Sequence, residues 1–301
     1  MKRNGTDGLS ADERNPMKTV TSVHEMINLA HTFRSAGKRI GLVPTMGALH
    51  RGHLSLLEIA KDRADATVMS IFVNPTQFGP QEDFSRYPRP FEEDCRKAEA
   101  AGCDVVFAPD TGDLYPPLHR TSVQVSGITE RLCGKSRPTH FQGVTTVVLK
   151  LFNIVKPHCA VFGAKDAQQL LVIRRMVEDL HCPVEIVAAP IVREDDGLAL
   201  SSRNAYLTAE ERTAAVLINR GLRNAEERFG GGERRAAQLI GDIGETMARS
   251  PLLVPEYIEI VDLNLLEPVE RIADGALAAV ACRTRQSNTR LIDNTILGGR
   301  L

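Results

Sequence analysis

Four short segments of this sequence carry side chains suited to handling anions. The first, PTMGALHRGHLSLL, sets His50 and His53 three residues apart around Gly52, just after an apolar run. An imidazolium at such a junction holds a phosphate oxygen and stabilises charge developing on phosphorus. Gly47 and Gly52 let the backbone approach a ligand closely. A plainer account has one histidine capping a helix and the other decorating the surface, and for an isolated H-x-x-H pair that account is the better default. A metal site is weaker still, because the H-E-x-x-H spacing and an evident third ligand are missing.

Three further segments weigh against coincidence. FGAKDAQQL places Lys165 and Asp166 directly after another apolar run, with Gln169 about one helical turn further on. LALSSRN brings Ser201, Ser202 and the guanidinium of Arg203 into one loop, suited to clamping phosphate oxygens. FVNPTQFGP supplies Asn74 and Gln77, neutral donors for a carboxylate or hydroxyl. Taken singly, these are a solvated lysine, a turn glutamine and an ordinary linker. All four fall on one rim of the expected sheet.

The elements that must position them follow from periodicity. A helical pattern runs from Thr21 to Gly37, and RIGLV reads as a short buried strand. Helix and strand then alternate: a helix over about 53–64, strand 66–73, helix 91–102, strand 104–109, a helix within 143–155, strand 159–163, helix 167–180 and strand 184–189. Short apolar strands between amphipathic helices imply an α/β fold, a Rossmann-like doubly wound parallel sheet. In such sheets ligands bind beyond the C-terminal strand ends, where helix N-termini offer free amides. After residue 200 the pattern changes. Thr208 and Glu211 form a capping-box signature, and two helices, two strands and a final extended segment, TRLIDNTIL, give a smaller C-terminal α+β domain. The expected division is a flexible leader at 1–17, a ligand-binding domain at 18–200 and a C-terminal domain at 201–301.

Composition narrows the functional classes. With 37 Lys+Arg against 38 Asp+Glu the net charge is -1, which disfavours nucleic acid as a main partner. No apolar stretch reaches the roughly 20 residues needed to span a bilayer and the N-terminus lacks the core of a secretion signal, so a cytoplasmic protein with no membrane partner is expected. Cys95, Cys103, Cys133, Cys159, Cys182 and Cys282 are scattered without a C-x-x-C pair, as reduced thiols would be.

The motifs also share an order. Pro44-Thr45-Met46-Gly47 with His50-Arg51-Gly52-His53, Phe72-Val73-Asn74-Pro75 with Gln77-Phe78, and Asp83 through Tyr87-Pro88-Arg89 resemble the pantothenate synthetase family. So do Arg137-Pro138 with His140-Phe141, Phe162-Gly163 with Lys165-Asp166 and Gln168-Gln169, and Ser201-Ser202-Arg203-Asn204. The match runs from about residue 18 to TRLIDN. The family, part of the nucleotidylyltransferase superfamily, joins pantoate to β-alanine using ATP and releases AMP and pyrophosphate. The H-x-G-H and Ser-Ser-Arg segments are similar to the two ATP-handling motifs of class I aminoacyl-tRNA synthetases.

The resemblance implies roles position by position. Met46, Gly47, Ala48, Leu49, His50, Arg51, Gly52 and His53 line the ATP site, with His53 as proton donor and His50 beside the phosphates. Gly163, Ala164, Lys165, Asp166, Val192, Leu200, Ser201, Ser202 and Arg203 also contact ATP, and Lys165 with the Ser201–Arg203 loop joins the catalytic set. Gln77 and Gln169 hold pantoate, Gln77 borders the β-alanine site, and Asn74 and Arg137 belong to the pocket. Asp94 is a magnesium contact, Mg²⁺ accompanies ATP, and the C-terminal domain acts as a lid over a cytoplasmic homodimer's cleft. Three positions depart from the family pattern. Ala164 replaces a glutamate and is expected to alter ATP affinity, Thr139 replaces a glycine and is expected to stiffen the Arg137 loop if that position needs positive φ, and Leu200 replaces a methionine. Two rival readings stay open on the residues alone, an adenylyl transferase acting on another substrate and a non-catalytic nucleotide-binding module.

Overall fold

The computed structural model describes residues 16–80 and 82–301; the expected leader lies outside the described residues except for its last two, of which Met17 packs on the core. From the start, β1 (Lys18–Val20), α1 (Val23–Ser35), β2 (Ile40–Thr45), α2 (Arg51–Lys61) and β3 (Ala66–Ile71) follow one another. Next come α3 (Phe91–Ala100), β4 (Val105–Phe107) and two single-turn helices, α4 (Thr111–Leu114) and α5 (Cys133–Ser136). The first unit closes with α6 (His140–Val155), β5 (Cys159–Gly163), α7 (Ala167–Asp179) and β6 (Glu185–Ala189).

All six strands pair in parallel, in the order β1-β4-β3-β2-β5-β6. The expected doubly wound sheet is present. Successive residues alternate between its faces: Leu42, Val68, Val105 and Ala160 join the core under α1, α6 and α7, while Val43, Met69, Val106 and Val161 meet Leu57 and Ala60 of α2 and Ala98 of α3. Burial on both sides is why these strands read as continuous apolar runs. From β2 the order runs through β3 and β4 to one side and β5 and β6 to the other, so a crevice opens beyond the C-terminal ends of β2 and β5. The segments holding His50, His53, Lys165 and Asp166 leave from those two ends. The edge strand β1 was not anticipated, because three residues with two exposed side chains carry no periodic signal.

The remaining elements are α8 (Ala209–Gly230), α9 (Ala236–Met247), β7 (Leu253–Val261), β8 (Ala276–Thr284) and β9 (Arg290–Leu297). Strands β7, β8 and β9 form an antiparallel sheet in that order. On β8, Ala276, Ala278, Val280 and Cys282 pack on α8 and α9 through Ile218, Leu222, Leu239 and Ile243, while Leu277 and Ala279 face the core of the first unit. The central strand β8 is therefore buried on both faces, and Leu277 and Ala279 border a cavity between the two units. No cysteine is bridged, and no helix among the described residues is long and apolar enough to cross a membrane.

The capping box read at Thr208 forms. Its hydroxyl accepts from the Glu211 amide at 3.3 Å, and Glu211 Oε2 accepts from the Thr208 amide at 3.2 Å. The other Glu211 oxygen accepts from the amides of Gln286 at 2.7 Å and Ser287 at 2.9 Å, tying the start of α8 to the β8–β9 turn. Burial pushes this carboxyl up, but the Ser287 side chain and the amides of Ser287, Gln286 and Thr208 outweigh it and bring its pKa from 4.5 to about 2. Its contribution is therefore full above the ordinary carboxylate value and fades as pH falls toward 2. Glu211→Gln should lower urea-unfolding stability at pH 7 by about 3 kcal/mol, and an unchanged midpoint would show the amides satisfied elsewhere.

Candidate active site

The loop between β2 and α2 bends through two consecutive left-handed residues, Gly47 at φ 84° and Ala48 at φ 51°. A side chain at Gly47 would sit 2.9 Å from Asp94 Oδ2, so only glycine fits. Asp94 holds the bend by accepting from the amides of Ala48 at 2.8 Å and Leu49 at 2.7 Å, and Lys97, one turn along α3, donates to the Leu49 carbonyl at 2.8 Å. Asp94 is fully buried. Burial raises its pKa, while the two amides and Lys97 pull the other way. Asp94, expected as a magnesium contact, spends one lone pair of each oxygen on a backbone amide and so holds this loop.

The bend delivers His50 to the N-cap of α2 and His53 to its first turn. His50 Nδ1 accepts from the Gly52 amide at 3.1 Å, and His53 Nδ1 accepts from the His50 amide at 3.4 Å. The rings stack with centroids 4.0 Å apart. Both Nδ1 atoms are acceptors, so both rings carry hydrogen on Nε2. Burial, then Lys165 and Lys97, bring His50 from 6.5 down to about 4; burial, His50, Lys165 and Lys97 bring His53 down to about 3. The imidazolium expected from the sequence is therefore replaced by two neutral rings. Capping and ligand-facing roles, posed as alternatives, belong to the same side chains.

Opposite them, Asn74 caps the turn Pro75–Gln77. Its amide donates to Gln77 Oε1 at 3.0 Å and to the Gly143 carbonyl at 3.1 Å, and its oxygen accepts from the Tyr115 hydroxyl at 3.0 Å. Gly143 permits this contact, since a Cβ there would lie 2.5 Å from the Thr76 oxygen. Asn74, expected as a pocket donor, spends its hydrogens on the protein and fixes the Gln77 amide. Gln77 Nε2 meets only the Met46 sulfur at 3.2 Å, a weak acceptor, and so offers its hydrogens to the cavity. The Gln77 carbonyl accepts from Arg137 Nη2 at 3.1 Å and from His140 Nδ1 at 2.9 Å.

The β5 end supplies Lys165 and Asp166 from a 3₁₀ turn, and Gln169 from the first turn of α7. Asn294 of β9 donates to the carbonyls of Ala164 and Lys165, each at 2.9 Å, and Asp293 receives Arg193 in a two-pronged pair at 2.7 and 3.0 Å. Between Val192 and Leu200 the chain folds back, with the Leu200 amide donating to the Val192 carbonyl at 3.0 Å. Ser201 then caps the turn Ser202–Tyr206, and the Ser202 hydroxyl lies 3.5 Å from the Tyr87 hydroxyl. Arg203, expected to stand ready for phosphate, is paired with Asp83 at 2.9 and 3.0 Å. Arg137 is likewise held by Glu82. In Glu82, burial acts to raise the pKa, but Arg137 prevails and lowers it.

A cavity of about 240 Å³ collects these groups. Met46, His50, Gly52, His53, Asn74, Gln77 and Arg137 line it. So do Gly163, Lys165, Asp166, Gln169, Val192, Leu200 and Ser201–Arg203. Gly47, Ala48, Leu49, Arg51 and Ala164 do not line it. Leu49 is buried in the core, and Arg51 is exposed beside Glu194. Ala164 acts through its carbonyl. Thr139, at φ −97°, caps α6 without strain, so the expected stiffening from a forbidden φ does not arise. Residues that reasoning from sequence left without a role are His140, Tyr87, Glu82, Asp83, Asp293 and Asn294. All six stood in quoted segments or beside one, but nothing in spacing reveals their partners.

Comparison with known proteins gives a consistent result. A sequence model of the family described as Pantoate-beta-alanine ligase matches residues 18–296. The pantothenate synthetase of Acetivibrio thermocellus is 52% identical over 281 residues, covering 93% of this chain and 99% of its own length. The crystal structure of pantothenate synthetase from Thermus thermophilus is similar at a TM-score of 0.88 and 45% identity, covering 94% of this chain and 100% of that one. The structure of the ligase from Francisella tularensis, described as complexed with Beta-gamma ATP and β-alanine, gives a TM-score of 0.76 at 32% identity, covering 93% and 98%.

Two measurements probe this geometry. Asp94→Asn leaves one acceptor and turns an NH₂ group toward the loop amides; urea unfolding should show a loss of about 2–3 kcal/mol, with faster hydrogen exchange at Ala48 and Leu49. Unchanged exchange would mean the loop is held by other means. Because His53 is depressed to about 3, the unfolded chain takes up a proton that the fold refuses, so stability falls as pH drops below 6.5. Between pH 7 and 5 this one group costs about 2 kcal/mol, and His53→Gln should flatten the dependence by that amount.

Proposed function

We infer the chemistry of this cleft from a premise now in hand: the chain belongs to the pantoate–β-alanine ligase family. It is a ligase forming a C–N bond, condensing pantoate with β-alanine in an ATP-dependent reaction. The observation that carries a mechanism is that two neutral Nε2–H donors, Lys165 and the Gln77 amide line one cavity at the β2/β5 crevice. That set suits an anion whose charge shifts during reaction.

A carboxylate oxygen is a poor leaving group, so the acid must first be activated. We propose that pantoate, held by Gln77 and Gln169, attacks the α-phosphorus of ATP in line, giving pantoyl adenylate and pyrophosphate. The Nε2–H groups of His50 and His53 donate to phosphate oxygens, and the Lys165 ammonium spreads the charge that builds there. Preorganised donors in a partly dry cleft are worth more than in water. Arg203 and the serines beside it approach the phosphates from the other wall, with Arg203 exchanging Asp83 for phosphate as the nucleotide enters. The β-alanine amine then attacks the acyl carbon and AMP departs. No step uses a cysteine.

Magnesium is proposed to enter as the counter-ion of the triphosphate. Among the described residues no group of three or more His, Cys, Asp or Glu side chains is gathered to hold a metal. No step is assigned to the ion. The division at about residue 200 is proposed to have functional meaning, the 201–301 unit acting as a wall that keeps water from the adenylate. Support comes from the second, contiguous cavity of about 400 Å³ between that unit and the cleft, which shares His140, Lys165 and Gln169 with it. A cytoplasmic homodimer is proposed on family resemblance.

The reading is tested by omitting ATP, pantoate and β-alanine in turn while following pyrophosphate and AMP separately. Pyrophosphate should need ATP and pantoate, whereas sustained AMP release should also need β-alanine. Within that assay, His53→Ala should slow adenylate formation by about 10²-fold or more, the scale of losing one electrostatic donor. Near-normal single-turnover adenylation by that variant removes His53 from this role.

A further inference from the structure

When an amine becomes an amide its nitrogen gives up a proton, and some group in the cleft has to accept it. Three imidazoles line the cavity, and their backbone hydrogen bonds divide them into two kinds. On His50 and His53 the inward Nδ1 accepts an amide hydrogen, so Nε2 carries hydrogen and acts as a donor. On His140 the order is reversed. Its Nδ1 lies 2.9 Å from the Gln77 carbonyl oxygen, which can only accept, so Nδ1 is the donor and Nε2 bears a lone pair.

Resting on the adenylate reading above, we propose that His140 is the catalytic base of the second half-reaction, its Nε2 taking the proton lost by the β-alanine nitrogen. The free amine, drawn from its equilibrium with ammonium, forms the C–N bond with its lone pair. The acyl C–O bond breaks and its electron pair leaves on the phosphate oxygen of AMP. One N–H proton passes to Nε2, and the imidazolium returns it to water after AMP departs. Atoms and charge balance without a further reactant.

The surroundings suit this task. His140 is the first residue of α6, its ring packs edge-on against Phe141 at 4.9 Å, and it borders both the cleft and the larger cavity beside it. A helix N-terminus disfavours an imidazolium, which keeps the lone pair open before reaction. Burial and Arg137 bring the pKa from 6.5 to about 4, against the Gln77 carbonyl, Glu82 and Asp166, which favour the cation. A weak base suffices here, because nitrogen bonded to the tetrahedral carbon is far more acidic than an ordinary ammonium. His50 and His53 cannot substitute without surrendering the hydrogens that hold phosphate.

The competing account is that His140 merely ties α6 to the Gln77 turn. His140→Asn separates the two, since its NH₂ can reach the same carbonyl but it has no basic nitrogen. The readouts are pantoate-dependent ATP–pyrophosphate exchange and single-turnover aminolysis of preformed pantoyl adenylate. Exchange should stay within about threefold of wild type, while the maximal aminolysis rate falls about 10²-fold or more with little change in the β-alanine requirement. His140→Gly should regain aminolysis when free imidazole is added. Wild-type aminolysis by His140→Asn, equal losses in both half-reactions, a loss abolished by saturating β-alanine, or no rescue by imidazole each overturns the assignment. Failure of the wild-type enzyme to catalyse exchange would instead refute the adenylate reading.

Discussion

Every histidine in this cleft has one ring nitrogen committed to the backbone, and that commitment decides what the other nitrogen can do. At the start of α2 the free amides of a helix N-terminus take the Nδ1 lone pairs of His50 and His53, leaving hydrogens outward. At the start of α6 a carbonyl takes the Nδ1 hydrogen of His140, leaving a lone pair outward. One residue type therefore supplies donors on one wall and an acceptor on another. Both helix ends also oppose protonation, so the assignments hold at neutral pH without a finely tuned pKa.

A second layer of polar residues makes these commitments durable. The loops beyond β2, β3 and β5 have left the sheet, so their amides and carbonyls have no ladder partners and must be satisfied otherwise. Asp94 serves the first loop, Asn74 the second and Asn294 the third, each through more than one hydrogen bond. Their side chains are buried, where an unmade bond is costly, so each loop has little freedom to drift. The small antiparallel sheet takes part directly, because Asp293 and Asn294 reach out of β9 to Arg193 and to the Ala164–Lys165 carbonyls.

This layering explains what could be read from the sequence. The parallel sheet was legible because burial on both faces writes itself as apolar runs, and the capping box at Thr208 because its partners lie three residues apart. Most residues that line the cavity were legible as motifs, though His140 and Tyr87 were not given a role. What escaped is long-range pairing: Arg203 with Asp83 across 120 positions, Arg137 with Glu82 across 55, Asn294 with Ala164 across 130. The loop-holding role of Asp94 escaped for the same reason, since its two amide donors lie 45 and 46 positions away. Tautomers are further removed, since no spacing rule encodes which ring nitrogen faces a carbonyl.

The two arginine pairs bear on how an anion enters. Glu82 and Asp83 are adjacent and face opposite partners, so a single stretch of chain neutralises both guanidiniums of the free cleft. Both pairs are largely buried, and stripping either arginine of its partner would leave an uncompensated charge in a low dielectric. A single carboxylate is nevertheless a weaker competitor than a triphosphate, which brings several charges and can receive the same planar fork in two-pronged fashion. Exchange of partners then costs less than desolvating a bare guanidinium, because the cation passes from one anion to another. The free site is electrically quiet enough to fold, because neither guanidinium is left unpaired.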